Sequence, residues 1–267
     1  MKCIGVCFLI IFHEFALGGF ERTQVGAGPA ALANAFIAVE DDGWALFFNP
    51  AGLAGIQSFR ISIFAAPSPY GLSELSTAAL AVEMPTDRGC FGLGLRRYGF
   101  DLYREVSGTL SYATTVVGVS FGLNCNYHSV SIQNYGSAST VGFDAGFVIP
   151  LFQNLQWGMA ATNVNAPVIG VSREPLPRRF STGVSYVFAN RFTLAFDVLK
   201  ESGFDVSPRG GCEYRIIDAV ALRCGFKDAP SEFSGGIGIR YAALDFDYAY
   251  VMNPDLGGTQ EISISLR

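Results

Sequence analysis

Charge is scarce in this sequence. Asp, Glu, Lys and Arg make up 15% of 267 residues, against about a quarter in an ordinary soluble domain. Half the residues are hydrophobic and mean hydropathy is +0.32. Disorder is excluded, because it needs low hydrophobicity and high charge. No basic run occurs, and 18 basic against 23 acidic residues leave a net charge of −5. Nothing therefore tracks a phosphate backbone, and no nucleic-acid partner is expected. There are two histidines, no CxxC pair and no Cys/His spacing suited to a metal, so no metal or other cofactor is expected. No Ser sits in a nucleophile elbow and no carboxylate pair brackets a cleft, so no catalytic residue and no enzyme is expected. The 31 glycines have no three-residue period, which excludes collagen.

What is present begins with an export signal. Met1-Lys2 precedes an apolar run from Cys3 to Phe12, then His13-Glu14-Phe15-Ala16-Leu17-Gly18. A short positive start, an apolar stretch and small residues after it make a secretory signal peptide over 1–18. Ala16 and Gly18 suit the −3 and −1 positions, with the mature chain starting near Gly19. A membrane anchor fits less well, because a spanning helix needs ~20 apolar residues and His13-Glu14 interrupts this run. Cys90, Cys125, Cys212 and Cys224 remain in the mature chain, each single within an apolar stretch. They read as small hydrophobes rather than as bridges, although export permits disulfides.

From about Gln57 the period is two. Val117, Val119, Phe121, Leu123, Cys125 and Tyr127 alternate with Gly118, Ser120, Gly122, Asn124, Asn126 and His128. Phe192, Leu194, Phe196 and Val198 alternate with Thr193, Ala195 and Asp197. Such alternation marks strands with one apolar and one polar face. Fourteen are expected, near 57–66, 72–84, 89–98, 103–114, 117–131, 138–149, 153–163, 178–188, 191–200, 207–215, 218–226, 232–241, 243–251 and 259–266. Most have the ~9–12 residues that cross a tilted bilayer path, more than the ~5–6 of globular strands. Tight connections at 85–88, 115–116, 189–190, 216–217 and Ala242 alternate with mostly longer ones at 99–102, 132–137, 164–177, 201–206 and 252–258. Short turns on one rim and longer loops on the other are an outer-membrane pattern. Fourteen strands enclose a lumen too wide for one layer of apolar side chains. The apolar face must then meet lipid and the polar, glycine-rich face must line the lumen, with every backbone group paired by closure. The expected fold is all-β, a 14-stranded antiparallel transmembrane barrel over 57–267 with outer-membrane lipid around it.

Residues 19–56 do not alternate. A short helix fits Pro29 to Ile37, with Pro in its first turn. Gly26-x-Gly28-x-x-Ala31 imitates a dinucleotide fingerprint, but no strand precedes it and no βαβ unit surrounds it. This segment is expected as a short helical plug in the lumen. A wider resemblance runs through Gly28, Ala35-Phe36-Ile37-Ala38-Val39, Asp41-Asp42, Ala45-Leu46 and Asn49-Pro50-Ala51-Gly52-Leu53. It continues at Asn163-Val164-Asn165, Gly183-Val184-Ser185-Tyr186, Gly211-Cys212-Glu213-Tyr214, Leu222-Arg223-Cys224-Gly225-Phe226 and Asp247-Tyr248-Ala249-Tyr250. These stretches resemble the PorV/PorQ outer-membrane family, relatives of the FadL-type long-chain fatty-acid transporters that share the Asn-Pro-Ala element. The resemblance implies a fourteen-stranded bacterial outer-membrane barrel whose N-terminal segment folds into the lumen. Such barrels usually end in an aromatic residue, whereas this chain ends Leu266-Arg267.

Plug and gating candidates are Asp41, Asp42, Asn49, Pro50, Ala51 and Gly52. Asn caps, Pro fixes φ and Gly permits a tight reversal; the FadL resemblance implies a gate for the same element. Candidate lumen charges are Arg60, Glu83, Arg96, Asp144, Arg179, Asp197, Glu213, Arg215, Arg223, Arg240, Asp245, Asp247 and Glu261. Their mixed signs suggest a network bracing the plug rather than a filter of one sign. The PorV resemblance implies an accessory of protein secretion of the type IX kind, with secreted proteins or secretion machinery as partners. The FadL resemblance implies passage of hydrophobic small molecules, and a purely structural barrel is a third reading. A fatty-acid pocket should be lined by apolar side chains. The inward positions are polar and the longest loop, 164–177, is modest, so the secretion role is the leading expectation.

Overall fold

A computed structural model describes residues 19–20, 25–39 and 42–267. The expected signal peptide and Asp41 lie outside the described residues. The strands are β1 Arg60–Ala66, β2 Thr77–Thr86, β3 Gly89–Gly99, β4 Tyr103–Val116, β5 Val119–Ile132, β6 Gly136–Phe152 and β7 Leu155–Thr162. They continue as β8 Val168–Ile169, β9 Glu174–Pro175, β10 Arg179–Phe188, β11 Phe192–Glu201, β12 Val206–Ile217 and β13 Val220–Lys227. The last are β14 Glu232–Tyr241, β15 Leu244–Asn253 and β16 Gly257–Leu266. All but β8 and β9 close into a fourteen-stranded barrel, each strand beside its neighbour in sequence. The seam is antiparallel, from Ile61 opposite Leu266 to Ala65 opposite Ile262. The β8–β9 pair is a small hairpin within the loop 163–178.

Side-chain direction follows the alternation. On β5, Phe121 and Leu123 are 47% and 62% exposed, while Asn124 between Leu123 and Cys125 is 5% exposed. An exposed apolar row beside a buried polar row turns the usual soluble arrangement inside out, as lipid demands. Cross-strand aromatic pairs on the outer face, Phe91–Tyr112, Phe192–Tyr214 and Phe226–Phe233, have ring centroids 4.9–5.2 Å apart. That spacing suits offset aromatic contact. All four described cysteines are free; Cys90 is buried, and Cys125 and Cys224 are on the exposed row.

Two boundaries differ most from expectation. The strand expected at 72–84 starts at Thr77, because Pro69–Gly71 and Ser73–Leu75 form two short 3₁₀ turns. The helix expected over Pro29 to Ile37 is only α1, Ala27–Ala31. Ala33 and Asn34 adopt left-handed backbone at φ 53° and 61°, which ends a right-handed helix.

Candidate functional site

The lumen is filled by residues 25–39 and 42–56, and the filling has a dry centre. Val25, Leu32, Phe36, Ile37, Trp44, Leu46, Phe48 and Leu53 form one buried cluster with Phe64, Ala81 and Cys90 of the wall. Two 3₁₀ turns shape it. Asp42 caps Gly43–Phe47, its Oδ1 accepting the Trp44 N–H at 2.8 Å. Asn49 caps Pro50–Gly55, its Oδ1 accepting the Ala51 N–H at 3.2 Å, with Pro50 at the first position. Gly52 lets this turn lie against the preceding chain: a Cβ there would stand 2.7 Å from the Ala45 Cβ and 2.8 Å from the Val39 carbonyl. Asn49 is fully buried. Its Nδ2 donates to the Ile37 carbonyl at 2.8 Å and to the Phe147 carbonyl of β6 at 3.1 Å. One amide therefore ties both halves of the plug to the wall.

The wall meets the plug with glycine. A Cβ on Gly94 would stand 2.6 Å from Leu46, on Gly158 2.5 Å from the Ile37 carbonyl, and on Gly211 2.7 Å from Leu32. On Gly236 it would stand 2.6 Å from Ala31, and on Gly122 and Gly146 it would run into Pro50–Ala51 and Asn49. These positions lie on β3, β7, β12, β14, β5 and β6, a belt around the plug.

Between the glycines, polar side chains satisfy plug backbone that has no ladder of its own, as burial requires. Asp197 on β11 accepts the Phe36 and Ile37 N–H groups on one oxygen, at 2.6 and 2.9 Å. Ser263 accepts from Ala27 N–H at 2.8 Å, and Asn124 donates to the Leu46 carbonyl at 2.9 Å. Ser234 accepts from Ala33 N–H and donates to the Ala31 carbonyl, both at 3.0 Å. Higher in the lumen, Glu105 accepts the Phe20 N–H at 2.8 Å and Arg179 donates to its carbonyl at 3.2 Å.

The charges stand opposite one another along the wall. Arg60 faces Glu83, Arg179 faces Glu201, Asp197 faces Arg209, Glu213 faces Arg223 and Arg240 faces Asp245, each across neighbouring strands. Contacts are 3.2 Å for Arg179–Glu201, 2.7 Å for Arg223–Glu213 and 3.2 Å for Arg240–Asp245, and Arg223 also pairs with Asp247. Arg96 reaches Glu105 at 3.4 Å. Arg215 and Arg240 lie on the short-turn rim, and Glu261 lines the cavity at the opposite mouth. Asp144 takes part in no ion pair among the described residues; its Oδ2 accepts from Asn126 and Asn124, and its Oδ1 accepts the Asn163 N–H. The expected bracing of the plug by charge is thus mostly bracing of strand against strand; Asp197 and Glu105 hold plug backbone directly. The residues missed from sequence are Glu105, Asn124, Ser234 and Ser263. Their signal was parity, since each shares the inward face of its strand.

The plug separates two cavities. One of about 320 Å³ on the long-loop side is bordered by Phe64, Tyr70, Leu199, Phe204, Glu201 and Arg209. One of about 650 Å³ on the short-turn side is bordered by Asp42, Arg60, Arg215, Arg223, Asp247 and Arg267. Burial pushes the Asp42 carboxyl up to about 6, against the opposing pull of Arg60 and of its bond from Trp44 N–H.

No protein-family model matches the sequence, and no curated protein matches it. Solved structures do. The toluene transporter TbuX of Ralstonia pickettii superposes with a TM-score of 0.68 at 12% identity, covering 93% of this chain and 100% of its own. The toluene transporter TodX of Pseudomonas putida gives 0.67 at 13%, covering 92% and 97%. A FadL homologue of Pseudomonas aeruginosa gives 0.63 at 15%, covering 93% and 99%. The fold is FadL-like. The expectation of a secretion accessory is corrected here: these neighbours are described as a monoaromatic hydrocarbon channel, toluene transporters and a FadL homologue, which matches the alternative of a channel for hydrophobic small molecules. The PorV/PorQ assignment likewise finds no support among these neighbours. The expectation failed because it read the wall alone. Several inward side chains, Asn124, Asp197, Ser234 and Ser263, are engaged by plug backbone, and the larger part of the apolar cluster in the lumen belongs to the plug. The neighbours are channels and transporters rather than enzymes.

Proposed function

We propose that this chain conducts hydrophobic small molecules across a bacterial outer membrane, with residues 19–56 as the gate. The observation that carries the reading is the apolar plug seated on a glycine belt between two cavities. A barrel whose only role is structural needs neither the cavities nor a detachable apolar centre. Each cavity lies in the size range of small-ligand sites, ~300–1,000 Å³. Asp42, Asn49, Pro50, Ala51 and Gly52 fix the shape of the gate, and the wall charges keep the barrel closed while it moves. FadL-like neighbours described as toluene transporters support a small apolar cargo. The test is uptake of radiolabelled toluene and of a long-chain fatty acid by cells making the protein, against cells with an empty vector. Faster uptake of either supports the reading, and equal uptake of both rejects it.

A further inference from the structure

The lipid-facing rows hold one pair of side chains whose chemistry conduction does not use. Cys212 on β12 stands directly opposite Cys224 on β13. Both share the outward parity of their strands, Cys212 with Tyr214 and Cys224 with Leu222 and Phe226. The two thiols are free and interact with each other. Directly opposed residues of antiparallel strands stand ~4.5–5.5 Å apart at Cα, and a disulfide spans ~4.4–6.8 Å. The other two described cysteines have no such neighbour. Cys125 faces Leu110 and Phe143. Cys90 is buried in the cluster around the plug, opposite Pro85 and Ala113.

The wall around the pair is short of side chains. Gly211 faces Gly225 one step away, and Cys224 also faces Gly235 on β14. Cross-strand side-chain pairs stabilise a sheet, and glycine in a strand interior weakens it. Two of these glycines seat the plug: a Cβ on Gly211 would stand 2.7 Å from Leu32, and one on Gly225 2.5 Å from the Ala33 nitrogen. The wall lacks side-chain pairs where the plug needs bare backbone. The cysteines lie on the other face of that stretch, where a covalent bond takes no space from the lumen.

We propose that Cys212 and Cys224 are joined as a cross-strand disulfide during export. The pairing rests on the outer-membrane reading, because such a chain passes through an oxidising compartment. Eleven residues separate the two cysteines, so the loop to be closed is short. The oxidant is a disulfide-bearing exchange protein of the periplasm. One cysteine thiolate attacks its disulfide, forming a mixed disulfide and releasing one sulfur of the exchange protein. The second cysteine thiolate attacks the mixed disulfide and releases the other. Two electrons and two protons leave the cysteines, and the exchange protein ends as its dithiol. The step precedes insertion, since lipid covers this face afterwards. The bond stands in for the missing side-chain pairs and keeps the seat of Leu32 and Ala33 in register while the plug moves.

The test starts from cells making the protein, lysed in a denaturant with a thiol-blocking maleimide. Protein from the outer-membrane fraction is digested with trypsin without reductant. Cleavage after Arg209, Arg215, Arg223 and Lys227 puts Cys212 and Cys224 on separate peptides, 210–215 and 224–227. The two should be recovered as one linked species that is lost on reduction, while Cys90 and Cys125 carry the maleimide. In Cys224→Ser protein, Cys212 should carry it as well. Maleimide on both Cys212 and Cys224 of the wild-type outer-membrane protein overturns the proposal and leaves the outer-membrane reading standing. Linkage of either to Cys90 or Cys125 does the same. Absence of the protein from the outer-membrane fraction overturns both.

Discussion

The Asn49 carboxamide occupies the space that a Cβ on Gly146 would take. The plug and the wall are therefore complementary at the level of single atoms. Gly146→Ala should push Asn49 out of its bonds to Ile37 and Phe147 while leaving the lipid face of β6 unchanged. The expected result is a barrel that still folds but conducts ions more readily in planar bilayers. Unchanged conductance would show that the contact does not hold the plug.

Asn49→Ala removes a cap, worth ~1 kcal/mol, and orphans buried carbonyls at about 1–3 kcal/mol each. The loss should fall on the plug alone. Limited chymotrypsin digestion should then cut near Trp44, which is 2% exposed in the intact protein, while the barrel fragment survives. Survival of both would indicate that the glycine belt suffices.

Asp197 is a sharper probe because one oxygen serves two N–H groups. Asp197→Ala strands both donors and should destabilise the plug by about 2–6 kcal/mol, from ~1–3 for each unsatisfied buried group. Asp197→Asn keeps an acceptor oxygen and should retain part of the loss. Equal digestion rates for the two variants would point to the carboxylate charge rather than the acceptor oxygen, because Asn keeps both the oxygen and the volume.

Asp42 gives the plug a pH dependence. Its carboxyl titrates at about 6, above the ordinary 3.8, chiefly through burial. Between those values the folded form binds more protons than the unfolded form, so stability rises as pH falls through that window. Chemical unfolding in vesicles at pH 4 and pH 7 should show the shift, and Asp42→Asn, which keeps a capping oxygen, should flatten it. A slope unchanged in the variant would assign the dependence to other groups.

The barrel was legible in the sequence because lipid and lumen impose a strict parity. Phe121, Leu123 and Cys125 could sit on only one face once Asn124 and Asn126 sat on the other. The capping roles of Asn49 and Pro50 were legible for a similar reason, since their preferences are local. The extent of α1 was not, because Ala33 and Asn34 take left-handed backbone where the plug turns against Gly225 and Ser234, contacts made by residues far along the chain. Function was misread at the same distance. Asn124 looks like a water-facing lumen residue until Leu46 is placed beside it.

The glycine belt has one more consequence. A seat made of bare backbone has no rotamers with which to follow a moving plug. Once Leu32 or Asn49 leaves its glycine, the bare backbone cannot follow it, and the plug keeps only the bonds from side chains such as Asp197, Ser234, Ser263 and Asn124. Packed interfaces of this kind are bistable rather than deformable. Opening should therefore be discrete: single-channel traces should step between closed and open levels instead of drifting between them.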